Sequence, residues 1–145
     1  MVYMSKPQDF SKKIVIVINK TLEQWQVLNT VAHISAYIGH KLGDDFDSGD
    51  FFETQDDIKH PRNSQYPIIL LRAKPTQLPN LIQKVRESGM LYHGFIKEMI
   101  DTTNDSEIVD TLENKNDVDI DYLGIGIFGP IEQVNSLTKN FQVWR

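Results

Sequence analysis

The sequence predicts an α/β fold: a single domain with a four- or five-stranded mixed sheet and helices on both faces. Residues 14–18 are five consecutive β-branched residues, and such a run is typical of a central strand buried on both sides. Along the rest of the chain, segments with strand patterns alternate with segments with helix patterns. This alternation implies crossover connections, which place helices over a parallel or mixed sheet.

The first strand is predicted over residues 13–18, and a helix follows over about residues 22–41. Thr21 and Gln24 have the spacing of an N-terminal capping box, and Gly43 is a residue type that commonly ends a helix. Four apolar residues recur at spacings of four, three and four and so share one helix face: Val27, Val31, Ile34 and Ile38.

Residues 43–65 form a long acidic loop before the second strand, and a loop of this length is often functional or partly structured. Its carboxylates are Asp44, Asp45, Asp47, Asp50, Glu53, Asp56 and Asp57. The patterns then predict, in chain order, a strand over 67–73, a helix over 76–88, a strand over 90–97, a short helix over 107–112, a strand over 120–128, a helix over 131–139 and an edge strand over 141–144.

Length and composition limit the classes of protein to consider. The 145 residues suit one domain, which we expect over residues 12–145 after a flexible N-terminus over residues 1–11. The absence of cysteine excludes disulfides and thiolate chemistry, and a net charge of −5 gives no general support for nucleic-acid binding. No apolar run approaches the roughly 18 residues of a membrane span, so we expect a cytoplasmic protein with no membrane partner.

Two motifs resemble ligand sites, but neither has the sequence context that such a site needs. Gly124, Gly126 and Gly129 reproduce the spacing of a dinucleotide fingerprint, which belongs on a first strand and not on a late one. We therefore expect close backbone packing at these glycines. Asp45, Asp47 and Asp50 resemble part of a calcium loop but lack its remaining ligands, so we expect a solvated charged loop there. Three of the four histidines, His40, His60 and His93, have no metal-ligand spacing with one another, so we predict no metal and no cofactor.

Three motifs, the first of which combines a strand with the helix that follows it, occur in the right order and resemble the type-2 peptidyl-tRNA hydrolase superfamily, and more closely a family of unknown function that shares its fold. Residues 13–18 match the superfamily's first strand, K-x-V-x-V-V, and His33 matches the histidine of its x-x-H-A motif. Residues 95–103 stand at its L-I-Q-D-A-G-x-T-Q segment. Residues 123–126 match the start of its L-G-I-G-P strand, with the proline displaced to Pro130.

The resemblance implies three catalytic residues. His33 would be the acid/base, since imidazole titrates near neutral pH. Glu98 would orient His33 or a water molecule, and Thr102 would bind substrate. The alternatives are a half-buried histidine bonded to a neighbouring carbonyl, a surface glutamate, and a threonine that begins a loop.

Three further residues are predicted to bind substrate. Lys20 and Gln26 come from a departure of this sequence from the superfamily, and Trp25 stands near the entrance of the first predicted helix. The superfamily's G-K-G-K loop is missing, and Gln26 stands seven residues before His33, where the superfamily has lysine. Lys20 would replace that lysine. Trp25 would wall the pocket beside His33, or pack against the sheet.

Three functions follow as hypotheses. The first is a divergent member that binds a small ligand or a partner near His33 without the superfamily's hydrolase activity. The second is an active hydrolase of peptidyl-tRNA or a related ester, acting at the 3′ end of tRNA. The third is an assembly subunit, such as a homodimer, that pairs chains through the strand predicted over residues 90–97.

Overall fold

The computed structural model describes residues 7–145. Its strands are β1 (Lys12–Asn19), β2 (Phe51–Glu53), β3 (Lys59–Pro61), β4 (Ile68–Ala73), β5 (Leu91–Ile96), β6 (Tyr122–Pro130) and β7 (Gln142–Val143). Its helices are α1 (Gln24–Leu42), α2 (Leu78–Ser88), α3 (Lys97–Asp101), α4 (Asp105–Leu112) and α5 (Ile131–Thr138).

Five strands form one mixed sheet in the order β5-β6-β1-β4-β7. β1 and β4 are parallel, whereas β1–β6, β5–β6 and β4–β7 are antiparallel. The predicted α/β class and the mixed five-stranded sheet are therefore confirmed. The acidic loop carries structure of its own, because β2 and β3 pair as a separate antiparallel hairpin within it.

The central strand β1 divides the core into two layers. One layer lies under α1, and its buried residues include Ile14, Ile16, Ile18, Val27, Ile34 and Ile38. The other lies under α2 and α5, and its buried residues include Val15, Val17, Leu78, Leu81, Ile82, Val85 and Val134. Because both faces of β1 are covered, the unbroken β-branched run has no solvent side, as the sequence predicted.

The glycines of β6 let α1 approach the sheet closely. A Cβ at Gly124 would lie 2.7 Å from Cγ2 of Thr30, and one at Gly126 would lie 2.8 Å from Cδ1 of Ile38 and closer still to Cγ2 of Ile34. Neither position has room for a methyl group. Close packing therefore explains these two glycines.

The predicted cap of α1 is wrong by two residues. The N-cap is Glu23, and its backbone N–H donates to Oε1 of Gln26 at 2.9 Å. The backbone N–H and hydroxyl of Thr21 instead donate to Oδ1 of Asn19. Asn19 ends β1, so its side chain competes for Thr21 and delays the helix start.

The N-terminal prediction lies partly outside the described residues. Within the described part, Nε2 of Gln8 donates to the carbonyl of Gln65 at 2.7 Å, and the N–H of Asp9 donates to Oε1 of Gln65 at 3.0 Å. The domain boundary at residue 12 stays a prediction. Over residues 7–145, none of the helices has the length and apolar character needed to cross a bilayer.

Candidate functional site

An open cavity of about 740 Å³ lies between α1, the end of β5, and the α3–α4 segment. We call it the His33 cavity. Its lining is Trp25, Asn29, His33, His93, Phe95, Met99, Ile100, Thr102, Thr103, Asp105, Ile108 and Val109. Of the six predicted site residues, His33, Trp25 and Thr102 line this cavity, and Glu98, Lys20 and Gln26 do not.

One row of α1 forms the first wall. Trp25, Asn29 and His33 follow one another at intervals of four, which places them on adjacent turns of the same helix face. Trp25 is 56% exposed, and its indole N–H donates to Oε2 of Glu23 at 2.9 Å. The indole ring therefore faces the cavity and is held at its edge, and it does not pack into the core.

Alternate residues of β5 form the floor. His93 and Phe95 point to the same face of the sheet because side chains alternate along a strand. Phe95 is buried and stacks on the His33 imidazole, with ring centroids 5.0 Å apart and planes 14° apart. His93 stacks on Tyr37 at 4.4 Å. Each histidine is therefore oriented by an aromatic partner on the opposite element.

Burial lowers the pKa of His93, and the nearby His33 lowers it further. Both imidazoles pack against the Phe95 ring, and a positive charge on one disfavours a charge on the other. His93 is thus neutral at pH 7. A neutral imidazole has one N–H donor and one acceptor nitrogen.

The third wall is the segment that follows β5. The hydroxyl of Thr102 donates to Oε2 of Glu107 at 2.7 Å and accepts the N–H of Asn104 at 3.1 Å. Oδ1 of Asn104 then accepts the N–H of Ser106 and caps α4. Thr102 therefore positions α4, whose apolar side chains Ile108 and Val109 close this side.

The carboxylate of Glu98 is paired elsewhere. Oε1 accepts from Nζ of Lys115 at 2.7 Å, and the Glu98 side chain is 10% exposed. Its Oε2 is buried, and no hydrogen-bond partner lies among the described residues. Burial raises the pKa of Glu98, whereas the hydrogen bond from Lys115 and several smaller effects lower it. The lowering effects prevail, so the pKa of Glu98 lies below its ordinary value.

The other two predicted residues have different surroundings. Oε1 of Gln26 accepts the N–H of Glu23 at the helix start. Lys20 lines a separate cleft beside Arg72 and Lys74. Neither residue lines the His33 cavity, and a substrate-binding role for them stays a prediction. In the described part of the chain, no cluster of three or more acidic or histidine side chains is arranged to hold a metal.

Sequence reasoning missed several cavity residues. Asn29 and His93 are not among the predicted site residues, and neither are the apolar Phe95, Ile108 and Val109. The four-residue helix spacing that relates Trp25 to His33 also includes Asn29. The two-residue alternation of a strand relates His93 to Phe95. The sequence therefore contains a pattern that indicates Asn29 and one that pairs His93 with Phe95.

The fold and cavity define a small α/β domain with an open apolar site at one end of its sheet. The chain belongs to a family described as "Protein of unknown function (DUF2000)", whose model matches residues 12–145. The solved structure of a protein of unknown function from Agrobacterium tumefaciens has a TM-score of 0.82 to this chain at 20% identity, and the match covers 94% of this chain and 100% of that chain.

At that identity, the likeness establishes the fold alone. No curated protein matches the chain. The more specific resemblance to type-2 peptidyl-tRNA hydrolases stays a prediction.

Proposed function

We propose that this protein binds a small amphipathic ligand with an aromatic or other apolar body in the His33 cavity. The observation that carries the proposal is the composition of the lining: aromatic and aliphatic side chains around a few polar groups. A volume of about 740 Å³ lies within the roughly 300–1,000 Å³ of small-molecule sites. Such sites are typically apolar surfaces on which a few polar groups set the orientation.

The apolar part of the ligand would lie against two exposed side chains of the cavity lining. The Trp25 indole is 56% exposed and Val109 is 54% exposed, and they line the cavity from α1 and α4. An apolar ring bound against them would cover apolar surface of both. Burying apolar surface contributes about 25 cal/mol per Å², so covering both side chains would favour the free energy of ligand binding.

The polar part of the ligand would lie near His33 and Asn29. Both are side chains of α1, and His33 is fixed by its stack on Phe95. Imidazole and carboxamide groups can each donate to a ligand oxygen. An acceptor such as a carbonyl, carboxylate or sulfonate oxygen therefore suits this end of the cavity.

The hydrolase alternative retains two of its groups in one cavity, His33 and Thr102. It lacks the others there, because Glu98 pairs with Lys115 and Lys20 lines another cleft. An assay of peptidyl-tRNA hydrolysis by wild type and His33→Ala tests it. Turnover by the wild type that is lost in His33→Ala would favour the hydrolase over a binding protein.

The assembly alternative depends on β5, which is an outer strand of the sheet. Outer strands have unpaired backbone groups that can pair with another chain. Light scattering coupled to size-exclusion chromatography would test it through the molar mass, which for one chain is 16.7 kDa.

Ligand binding is tested with 8-anilinonaphthalene-1-sulfonate, a fluorescent amphipathic anion. Val109→Asp places a charge on the cavity wall, and Val118→Asp is the matched control, since Val118 is 85% exposed and lies outside the cavity. We expect saturable binding by wild type and Val118→Asp, and affinity about tenfold weaker for Val109→Asp because a charge there must be desolvated. Equal affinities for all three proteins would contradict the proposal.

A further inference from the structure

A second cleft, of about 270 Å³, lies across the sheet from the His33 cavity, beside β4 and β7. We call it the basic cleft. Its lining is Lys20, Arg72, Lys74, Gln77, Asn140 and Gln142. These are three cations and three carboxamides, with no carboxylate among them, in a chain whose net charge is −5. We infer that the basic cleft binds a phosphate-type oxyanion.

The backbone brings the two lysines together. β1 ends at Asn19 and β4 at Ala73, so Lys20 and Lys74 each follow directly after a strand. β1 and β4 are parallel neighbours, and the N–H of Lys20 donates to the carbonyl of Ala73 at 2.9 Å. The cleft therefore stands at the carboxyl ends of adjacent parallel strands, the usual place for ligands on α/β sheets.

Over residues 7–145, no ion pair joins a cation of the basic cleft to an acidic side chain. Among the described residues, the ion pairs join Arg86 to Asp117, Lys97 to Asp101 and Lys115 to Glu98. None of them includes a cation of the basic cleft. Three exposed cations that line one cleft repel one another, and an anion bound among them relieves that repulsion.

Two carboxamides of the cleft use their oxygens as acceptors within the protein. Oε1 of Gln142 accepts from Nε and Nη2 of Arg72, at 3.1 and 2.6 Å. Oε1 of Gln77 accepts the backbone N–H of Lys74 at 2.8 Å. With each oxygen in use, the NH₂ group of each glutamine remains as a donor. The cleft thus combines positive charge with N–H donors, which is the requirement for an oxyanion.

The size of the cleft indicates how much of a ligand it holds. At about 270 Å³, it lies below the roughly 300–1,000 Å³ of sites that enclose a whole drug-sized molecule. The volume of the cleft therefore suits a single phosphate group better than a whole cofactor. The phosphate could be free or belong to an ester whose remainder extends into solvent.

The test is a titration with inorganic phosphate followed by backbone amide NMR, with sodium chloride added to keep the ionic strength constant. We expect saturable shifts of the amides of Lys20 and Lys74. The double variant Lys20→Gln/Lys74→Gln should bind at least about tenfold more weakly, since two charged donors are lost. The control Lys41→Gln/Lys84→Gln loses the same charge elsewhere on the surface and should bind as the wild type does.

A parallel titration with phenyl phosphate distinguishes the two sources of the phosphate group. Tighter binding of the ester than of inorganic phosphate would assign the cleft to phosphorylated small molecules, and equal binding would assign it to the phosphate group alone. Shifts that do not saturate, or equal affinities in the wild type and in Lys20→Gln/Lys74→Gln, would overturn the inference. The basic cleft is tested separately from the His33 cavity, so either proposal can fail alone.

Discussion

The exposed imidazole of His33 lies flat on the buried ring of Phe95, with 5.0 Å between ring centroids. Phe95 is 2% exposed and belongs to the core under α1. A rigid core residue therefore supports a side chain that stands at the cavity surface. This arrangement fixes the position of His33 without burying it, as a binding site requires.

The two members of this stack should differ strongly in their effect on stability. Phe95→Ala should lower the free energy of unfolding by about 3–5 kcal/mol, because it leaves a cavity in the core. His33→Ala should lower it by less than about 1 kcal/mol, because the imidazole is exposed. Urea unfolding of both variants measures the difference. Similar losses would contradict the supporting role of Phe95.

The Glu98–Lys115 ion pair should control how stability depends on pH. The folded-state pKa of Glu98 lies below its ordinary value of 4.5, so the pair's stabilisation is present above that pH and is lost as pH falls through the folded-state pKa. Lys115→Met removes the hydrogen bond that lowers the pKa of Glu98 and leaves the burial that raises it. The pKa of Glu98 should therefore rise above its ordinary value, and ionised Glu98 should then destabilise the folded protein.

At pH 7, Lys115→Met should lower the free energy of unfolding by about 1–2 kcal/mol. This is less than the cost of breaking a fully buried pair, because Lys115 is partly exposed. The double variant Glu98→Gln/Lys115→Met should recover part of the loss, since no buried charge remains. Urea unfolding at pH 7 and pH 4 measures both effects, and a double variant less stable than Lys115→Met would argue against an unpaired buried charge as the cause.

The close approach of α1 to β6 should make Gly126 intolerant of a methyl group. Gly126→Ala should cost about 1–3 kcal/mol through overpacking, because the added Cβ would overlap with side chains of α1. Adding Ile34→Ala removes the nearest of these side chains, so the two changes together should cost less than the sum of their separate costs. A double-mutant cycle measured by urea unfolding would show additive costs if this contact were unimportant.

His93 should make the protein less stable in mild acid. Its folded-state pKa lies below 6.5, so the unfolded chain takes up the proton first as pH falls below 6.5. The contribution of neutral His93 to the free energy of unfolding is therefore fully present above pH 6.5, and it is lost as the pH falls towards the folded-state pKa. His93→Gln should reduce the difference in free energy of unfolding between pH 7.5 and pH 5.5. His33→Asn should raise the pKa of His93, which NMR titration of the ring protons measures.

The fold could be predicted because its signals are local. The five β-branched residues of β1 and the apolar spacing of α1 each define an element without reference to the rest of the chain. The hairpin β2–β3 could not be predicted in this way, because its strands of three residues are too short to show a pattern.

The cavity could be predicted only in part, because its side chains meet through tertiary contacts. His33 and Thr102 came from the family resemblance, and both line the cavity. The partner of Glu98 is Lys115, which lies in the connection before β6, and no spacing rule links these two positions. Lys20 follows β1 in sequence, but the parallel pairing with β4 places it beside Lys74, away from His33.

The most direct test of ligand binding in the His33 cavity is to measure intermolecular nuclear Overhauser effects between 8-anilinonaphthalene-1-sulfonate and protein labelled at its Ile, Leu and Val methyl groups. The proposal predicts contacts from the naphthalene ring to the methyl groups of Ile100, Ile108 and Val109, which line the cavity. Contacts confined to methyl groups outside the His33 cavity, or none at a saturating probe concentration, would contradict it.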